Sequence, residues 1–298
     1  MSKVLVTGSN GFLGRFIINE LARKNIVLSL SRNSGEYSVY LEKDIPLFKD
    51  KFEIVVHSAG KAHSVPRTES EIRQFYDVNV LGTLNLLKGL EKSGLPKEFV
   101  FISSVAVYGL EVGNNISEEH PLLAKDPYGL SKINAEKIVQ EWCNVNQVKC
   151  SILRLPLLVG KNAPGNLGAM VKAINKGYYF NIGGGLAKKS MVLAKDIASF
   201  IELVSPIGGV YNLTDGVNPS FNELSLMISK NKKFFFSLPL GIAKLIGIIG
   251  DIMGEKAPIN SSKVRKITSN LTFDDSKARQ LLNWKPEPIL DFLNRENI

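Results

Sequence analysis

Thr7-Gly8-Ser9-Asn10-Gly11-Phe12-Leu13-Gly14 follows the apolar run Lys3-Val4-Leu5-Val6 and opens a periodic segment from Phe12 to Ala22. The run is of strand type, and the segment spaces its apolar residues as a helix does. Between them Gly8, Gly11 and Gly14 recur every three residues. Glycine permits the tight turn, lets backbone N–H groups approach a pyrophosphate, and lets the next helix lie close to the sheet. The helix N-terminus favours an anion. Strand, glycine loop and helix in this order predict a dinucleotide-binding unit.

The alternation continues outward from that stretch. Ile26–Ser31, Val39–Leu41 and Phe52–His57 read as strands, the last followed by the small-residue turn Ser58-Ala59-Gly60. Glu69 to Ser93 is helical and ends at Gly94; Glu98–Ser103 is a strand. Asp126 as N-cap and Pro127 in the first turn start a helix to about Asn146, and Lys149–Leu155 is a sixth strand. The expected class is α/β: a Rossmann doubly wound parallel sheet, with ligands beyond the carboxyl ends of its strands. After Pro156 the pattern loosens, then gives a helix at Val192–Leu203, a strand at Val210–Leu213 that rejoins the sheet, and mostly helix over 220–270. Residues 1–156 with about 190–215 are therefore expected to form the NAD(P)-binding domain. Residues 157–189 and 216–298 are expected to form a smaller, discontinuous C-terminal substrate-binding cap.

Composition narrows the classes. The 298 residues are 44% apolar and 22% charged, as in ordinary globular proteins. Cys143 and Cys150 make no disulfide framework, and a strand beginning at Lys3 leaves no room for a secretory leader, so a cytoplasmic protein is expected. The formal charge of +9 is dispersed, which speaks against nucleic acid and suits an enzyme holding phosphorylated ligands. His57, His63 and His120 lack metal-ligand spacing, so no metal site is expected. Leu238 to Gly254 is strongly apolar, but it is short for a span and interrupted by Lys244 and Asp251. It reads first as a buried or half-exposed cap helix entered at Pro239, and second as a surface that docks on a membrane or partner.

Tyr128-Gly-Leu-Ser-Lys132 places a phenol and an ammonium on one helical face, four residues apart. A free tyrosine, with a pKa of about 10, is a poor base at neutral pH; a nearby ammonium favours its phenolate. Such a phenol can exchange a proton while hydride moves at carbon. A surface tyrosine one turn from a surface lysine is common, but here the glycine loop and Ser104 occur in the same chain.

Taken together, Thr7-Gly8-x-x-Gly11-x-x-Gly14, Asp44-Ile45, His57-Ser58-Ala59-Gly60, Asn79-Val80-x-Gly82-Thr83, Ser103-Ser104-Val105-Ala106-Val107-Tyr108-Gly109, Tyr128-x-x-x-Lys132 and Asn283-Trp284-x-Pro286 resemble the extended short-chain dehydrogenase/reductases of the nucleotide-sugar epimerase/dehydratase group. The resemblance implies a coenzyme, NADP or NAD, and a nucleotide-diphosphate sugar as substrate. It implies that Gly8, Gly11 and Gly14 hold the coenzyme pyrophosphate, with Asn10, Phe12, Leu13 and Pro156 also in the coenzyme site. Asp44 would bond the adenine with Ile45 beside it, and Ala59 and Gly60 would line the inner ribose. Asn79 would steady the region around the catalytic helix. Ser104 would bond the reacting oxygen, Tyr128 would be the acid/base, and Lys132 would hold the nicotinamide ribose and lower the Tyr128 pKa. A homodimer through Glu69–Ser93 and Pro127–Asn146 is also implied.

Departures from the group choose among its reactions. Sugar 4,6-dehydratases carry an acid and a glutamate directly after the serine position; Val105 and Ala106 cannot transfer protons, so dehydration is not expected. Epimerases usually end the second strand with an acid, whereas this stretch is Leu28-Ser29-Leu30-Ser31-Arg32-Asn33. Arg32 can pair with a 2′-phosphate, which favours NADP over NAD and a reductase over an epimerase. Arg154-Leu155-Pro156-Leu157 and Pro164-Gly165-Asn166 are similar to bacterial reductases of UDP-4-keto-6-deoxy-N-acetylhexosamines, which serve surface-polysaccharide synthesis. By that likeness Asn166, Lys189 and, more loosely, Arg265 would touch substrate. The expectation is 4-keto reduction of a UDP-sugar. Its rivals are a UDP-hexose or UDP-N-acetylhexosamine 4-epimerase with tightly held NAD, a non-catalytic dinucleotide sensor, and a membrane-associated scaffold.

Overall fold

Strand and helix alternate along the chain from its first residues. In order come β1 (Lys3–Thr7), α1 (Phe12–Leu21), β2 (Ile26–Ser31), β3 (Tyr37–Ser38), β4 (Ile54–His57), α2 (Glu69–Tyr76), α3 (Gly82–Ser93) and β5 (Glu98–Ser104). Next are β6 (Gly113–Ile116), α4 (Pro127–Val145), β7 (Lys149–Leu155), β8 (Leu157–Val159), α5 (Gly165–Lys176), β9 (Asn181–Ile182), β10 (Met191–Leu193), α6 (Ala194–Val204) and β11 (Gly209–Asn212). Last are α7 (Phe221–Ile228), β12 (Ser237–Leu238), α8 (Leu240–Met253), α9 (Ser261–Thr268), β13 (Leu271–Phe273), α10 (Ser276–Leu282) and α11 (Ile289–Arg295). The structure, a computed structural model, describes residues 1–62, 64–230, 235–253 and 259–296; His63 and Gly254 lie outside the described residues.

Seven of these strands form one sheet in the order β11-β7-β5-β4-β1-β2-β3, parallel throughout. The chain reverses direction of travel between β1 and β4, so a crevice opens beyond their carboxyl ends. This is the doubly wound class that the alternation predicted. Val4 and Val6 pack on one face with Ile17 and Leu21 of α1 and Ile197 and Ile201 of α6. Leu5 packs on the other with Leu86 and Leu90 of α3 and Ala135 and Val139 of α4. Burial on both faces is why β1 reads as an unbroken apolar run.

Two local departures have physical causes. The third strand is Tyr37–Ser38 rather than Val39–Leu41. The Tyr37 phenol donates to Asp50 at 2.7 Å and its ring meets Phe48 edge-on. The chain turns at once, with Lys43 N donating to the Tyr40 carbonyl, and Leu41 plugs the core from that turn. The helical stretch from Glu69 is interrupted at Asp77–Leu81 by a π-helical turn.

The later segments carry a third core, in which Leu167, Met170 and Ile174 of α5 meet Leu224 of α7 and Ile289 and Leu293 of α11. Short parallel pairs β8–β10 and β9–β12 tie it together, while β6–β13 joins a separate cluster with Val107 and Tyr108. Asn283 closes α10 with φ of 52°, and the Trp284 indole then donates to the Thr214 carbonyl at 3.0 Å, packing edge-on to Phe200.

Candidate active site

The glycine loop brings two backbones together more closely than any side chain allows. Gly8 has φ of +67°, and a Cβ there would lie 2.7 Å from Ala59 Cα at the end of β4. A Cβ at Gly14 would lie 2.2 Å from the Gly8 carbonyl oxygen. Gly11 is the N-cap of α1 and supplies no side-chain cap, so the first N–H groups of the helix remain available to an anion. Leu13 is buried beneath this turn in the sheet core, and Phe12 packs edge-on to Phe16.

A cleft of about 780 Å³ runs along this edge, lined by Gly8, Asn10, Gly11, Arg32, Ala59 and Gly60 among others. Asn10 donates to Ser31 Oγ at 3.0 Å and to Ser34 Oγ at 2.7 Å. Asp44 and Ile45 do not line the cleft; Leu41, Glu42 and Lys43 of the same turn do. Glu42 escaped the sequence reading. Its carboxylate lies 3.1 Å from the Arg32 guanidinium. No acid ends β2; this one arrives from the following turn, eleven residues beyond Ser31.

A chain of hydrogen bonds joins the loop to α4. Ala59 N donates to Thr7 Oγ1, which lies 2.6 Å from His57 Nδ1; His57 Nε2 lies 2.9 Å from Thr83 Oγ1, which donates to the Asn79 carbonyl. Each hydroxyl can donate only once, so His57 carries its proton on Nε2. Burial, with the Lys132 charge, holds the His57 pKa down to about 3, and the ring is neutral. Asn79 sits in the π turn. Its side chain accepts from Lys61 N and donates to the Lys61 carbonyl and to Ser131 Oγ on α4, the last at 2.8 Å.

α4 begins as its sequence indicates: Asp126 Oδ1 accepts from Gly129 N at 3.0 Å and Pro127 occupies the first turn. Tyr128, Lys132 and Glu136 then follow at four-residue spacing on one face. Burial raises the Tyr128 pKa above its ordinary value, Ser104 pulls it part of the way back by a hydrogen bond, and Asp126 pushes it up. Ser104 Oγ accepts from Ala106 N at 3.2 Å, which leaves its own O–H to donate. Lys132 Nζ donates to the Ile102 carbonyl at 2.8 Å and lies over the Phe101 ring. A Cβ on Gly60 would lie 3.4 Å from that ammonium. Burial lowers the Lys132 pKa to about 8, against the pull of Glu136. The ammonium is not among the groups that move the Tyr128 pKa, which differs from the expected lowering; it is directed to the strand carbonyl instead.

Glu136 escaped the sequence reading too. It is buried in a two-point pair with Arg154, at 3.1 and 2.8 Å, and accepts from Ser103 Oγ. Arg154 also donates to Tyr108 Oη at 3.1 Å, and Tyr108 donates to Asn212. Three elements of the sheet and α4 are thereby locked in one register.

On the other side of the Ser104–Tyr128 region lies a second cleft, of about 790 Å³. Val105, Ala106 and Asp126 line it, as do Pro156, Asn166 and Lys189. Pro156 therefore faces this cleft and not the one along the glycine loop. Lys189 Nζ donates to the Lys266 carbonyl, and burial lowers its pKa to about 8. Arg265 does not line this cleft; its neighbour Lys266 does, because adjacent helical residues point about 100° apart. Arg265 lines a separate groove between α8 and α9. Among the described residues no cluster of metal-ligating side chains occurs. Cys143 and Cys150 are free thiols.

Sheet topology and glycine cradle together place the chain among NAD(P)-dependent enzymes of the extended short-chain dehydrogenase/reductase type. It belongs to the NAD dependent epimerase/dehydratase family, whose model matches residues 4–213. It is 31% identical over 296 residues to an N-acetyl-alpha-D-glucosaminyl-diphospho-ditrans,octacis-undecaprenol 4-epimerase of Escherichia coli O157:H7, covering 92% of this chain and 88% of that one. It is 29% identical over 311 residues to a UDP-glucose 4-epimerase of Vibrio cholerae, covering 96% and 92%. A solved UDP-glucose 4-epimerase from Thermotoga maritima, with UDP-glucose, shares the fold at a TM-score of 0.75 and 22% identity over 98% of this chain and 96% of that one.

Proposed function

We propose that the chain interconverts the C4 configurations of a hexose or N-acetylhexosamine held through its anomeric diphosphate, with NAD as coenzyme. The observation that carries this reading is Glu42. A carboxylate in the cleft beside the end of β2 accepts hydrogen bonds from ribose hydroxyls and repels a 2′-phosphate. Arg32, which favoured NADP on sequence, is engaged by that carboxylate. The two relatives, both 4-epimerases, support the same choice, and their substrates share a sugar esterified to diphosphate. The second reading is 4-keto reduction with NADPH. Arg32 supports it, since a guanidinium released from Glu42 offers a two-point bond to phosphate.

The residues fit the coenzyme. Gly8 and Gly14 leave no space a Cβ could occupy, and the uncapped first turn of α1 presents N–H groups to a pyrophosphate. When bound, the nicotinamide supplies the hydride chemistry at C4. Tyr128 exchanges the proton of the C4 oxygen, giving it as the carbonyl becomes an alcohol and accepting it in the reverse direction. Ser104 donates to the same oxygen. Lys132, whose ammonium is directed to the Ile102 carbonyl, would hold the coenzyme ribose. Lys189 and Lys125 meet the diphosphate from the cleft wall. Val105 and Ala106 keep the space beyond the serine apolar, so no side chain there can expel a hydroxyl.

Coenzyme release decides between the readings. The purified protein is expected to yield NAD on denaturation and to interconvert UDP-N-acetylglucosamine and UDP-N-acetylgalactosamine, or UDP-glucose and UDP-galactose, without added reductant. Stoichiometric loss of NADPH absorbance with a UDP-4-keto sugar, and no epimerisation, would establish the reductase instead.

A further inference from the structure

Helix α8 is built the wrong way out for a cap that shields its own core. Its buried residues are the small ones, Ala243, Gly247 and Gly250. They seat α8 on the segment that begins α9: a Cβ on Gly247 would lie 3.1 Å from Ser261 Cα, and one on Gly250 1.9 Å from the Ile259 carbonyl oxygen. The branched side chains point away. Ile242, Leu245, Ile246, Ile249, Ile252 and Met253 follow the spacing of a single helical face, and all are exposed, Ile252 by 83%. A continuous apolar face of this kind marks an interaction surface, unlike single exposed apolar residues.

Charge identifies what covers it. Lys244 of α8 and Arg265 of α9 line one groove of about 520 Å³, together with the apolar Ile248 and the hydroxyls of Ser261 and Thr268. Lys266, further along α9, is paired with Glu111 at 3.0 Å and adds nothing to this face. The carboxylate of Asp251 is turned to Ser261 N at 3.1 Å. An apolar face flanked by cations matches the boundary between acyl chains and anionic headgroups. A second copy placed on the same face would set basic residues against basic residues. At 14 residues α8 is about 21 Å long. That falls short of the roughly 30 Å hydrocarbon core. No helix among the described residues is long and apolar enough to cross a membrane. The geometry suits a helix lying in the interface.

We propose that α8 docks the protein on the surface of an anionic bilayer, its 242–253 apolar face in the interface and Lys244 and Arg265 at the headgroup phosphates. Docking has a consequence for the active site, because α9 is shared. Arg265 faces the docking groove, while Lys266 and Ile267 line the 790 Å³ cleft. One helix thus sets the diphosphate end of that cleft beside the headgroup plane. The docking itself needs no catalysis, so its test is independent of the C4 chemistry.

The test is flotation of the full chain with phosphatidylcholine vesicles, with and without phosphatidylglycerol. The wild-type protein is expected to rise with the phosphatidylglycerol vesicles and to be released by salt. The triple variant Leu245→Ser, Ile249→Ser, Ile252→Ser is expected to bind at least about tenfold less while keeping its melting temperature. Should that variant fail to fold, Lys244→Glu serves in its place and is expected to lose the preference for phosphatidylglycerol. Wild-type protein that stays at the bottom of the gradient would overturn the proposal. So would equal binding by wild type and variant, or an oligomer that ignores vesicles and dissociates on the triple substitution.

Discussion

Tyr128 and Lys132 carry different charges at neutral pH for reasons that lie in their surroundings. Burial keeps the phenol protonated, and burial brings the ammonium pKa down to about 8. If the Lys132 charge is needed to hold the coenzyme ribose, kcat/KM falls as pH rises through about 8, where the ammonium is lost. Lys132→Arg, charged at every working pH, should lower activity yet remove that alkaline limb from the pH profile. His57 works on stability. Its folded pKa of about 3 lies below the ordinary 6.5, so below pH 6.5 the unfolded chain binds a proton that the folded chain refuses. Stability from this group is complete above pH 6.5 and declines as pH falls towards 3. Between pH 6.5 and 5 the loss is about 2 kcal/mol, since one pKa unit is about 1.4 kcal/mol. Urea unfolding at the two pH values measures it, and His57→Gln should show a correspondingly shallower dependence.

At the scale of elements, legibility followed the range of the forces. The glycine loop, the limits of Ile26–Ser31 and Lys149–Leu155, and the Asp126 cap rest on neighbours within a few residues, and each stands where the sequence placed it. The π turn at Asp77–Leu81 does not rest on neighbours. It offers Asn79 to Lys61 and to Ser131, 52 residues away, and helical periodicity carries no trace of that. Glu42 and Glu136 were missed likewise: one reaches the cleft from an irregular turn, and the other is an ordinary helical acid until Arg154 arrives from β7. The loop gives the sharpest prediction at this scale. Gly14→Ala puts a methyl 2.2 Å from the Gly8 carbonyl oxygen, so α1 must lift from the turn. Coenzyme affinity is expected to fall at least about tenfold by fluorescence titration, because the N–H groups lose their convergence on the pyrophosphate.

In the whole molecule, alternation predicted the sheet but not the pairings that tie the later segments together. Pairs such as β6–β13 join residues more than 150 positions apart, and such pairing leaves no local pattern. The apolar stretch from Leu238 reads as a buried or half-exposed helix, and α8 is half-exposed, with its small residues buried and its large ones exposed, a choice of face that apolar character alone does not give. Pairing of two chains follows the same logic of exposed surface. Ile72 and Tyr76 on α2 and Leu130 on α4 are exposed on the helices that the family resemblance assigns to a dimer. Sedimentation is expected to give a dimer, and Tyr76→Glu with Leu130→Glu a monomer, since a buried charge without a partner costs several kcal/mol.

The central claim is that Tyr128 moves the proton at the C4 oxygen of a diphosphate-linked sugar. The most direct measurement follows the sugar H4 signal by NMR in parallel reactions of wild-type protein and Tyr128→Phe, each first shown to hold coenzyme equally. The account predicts that the variant loses about 10²- to 10⁴-fold in turnover, the usual contribution of a positioned acid/base. Wild-type turnover by Tyr128→Phe would contradict it.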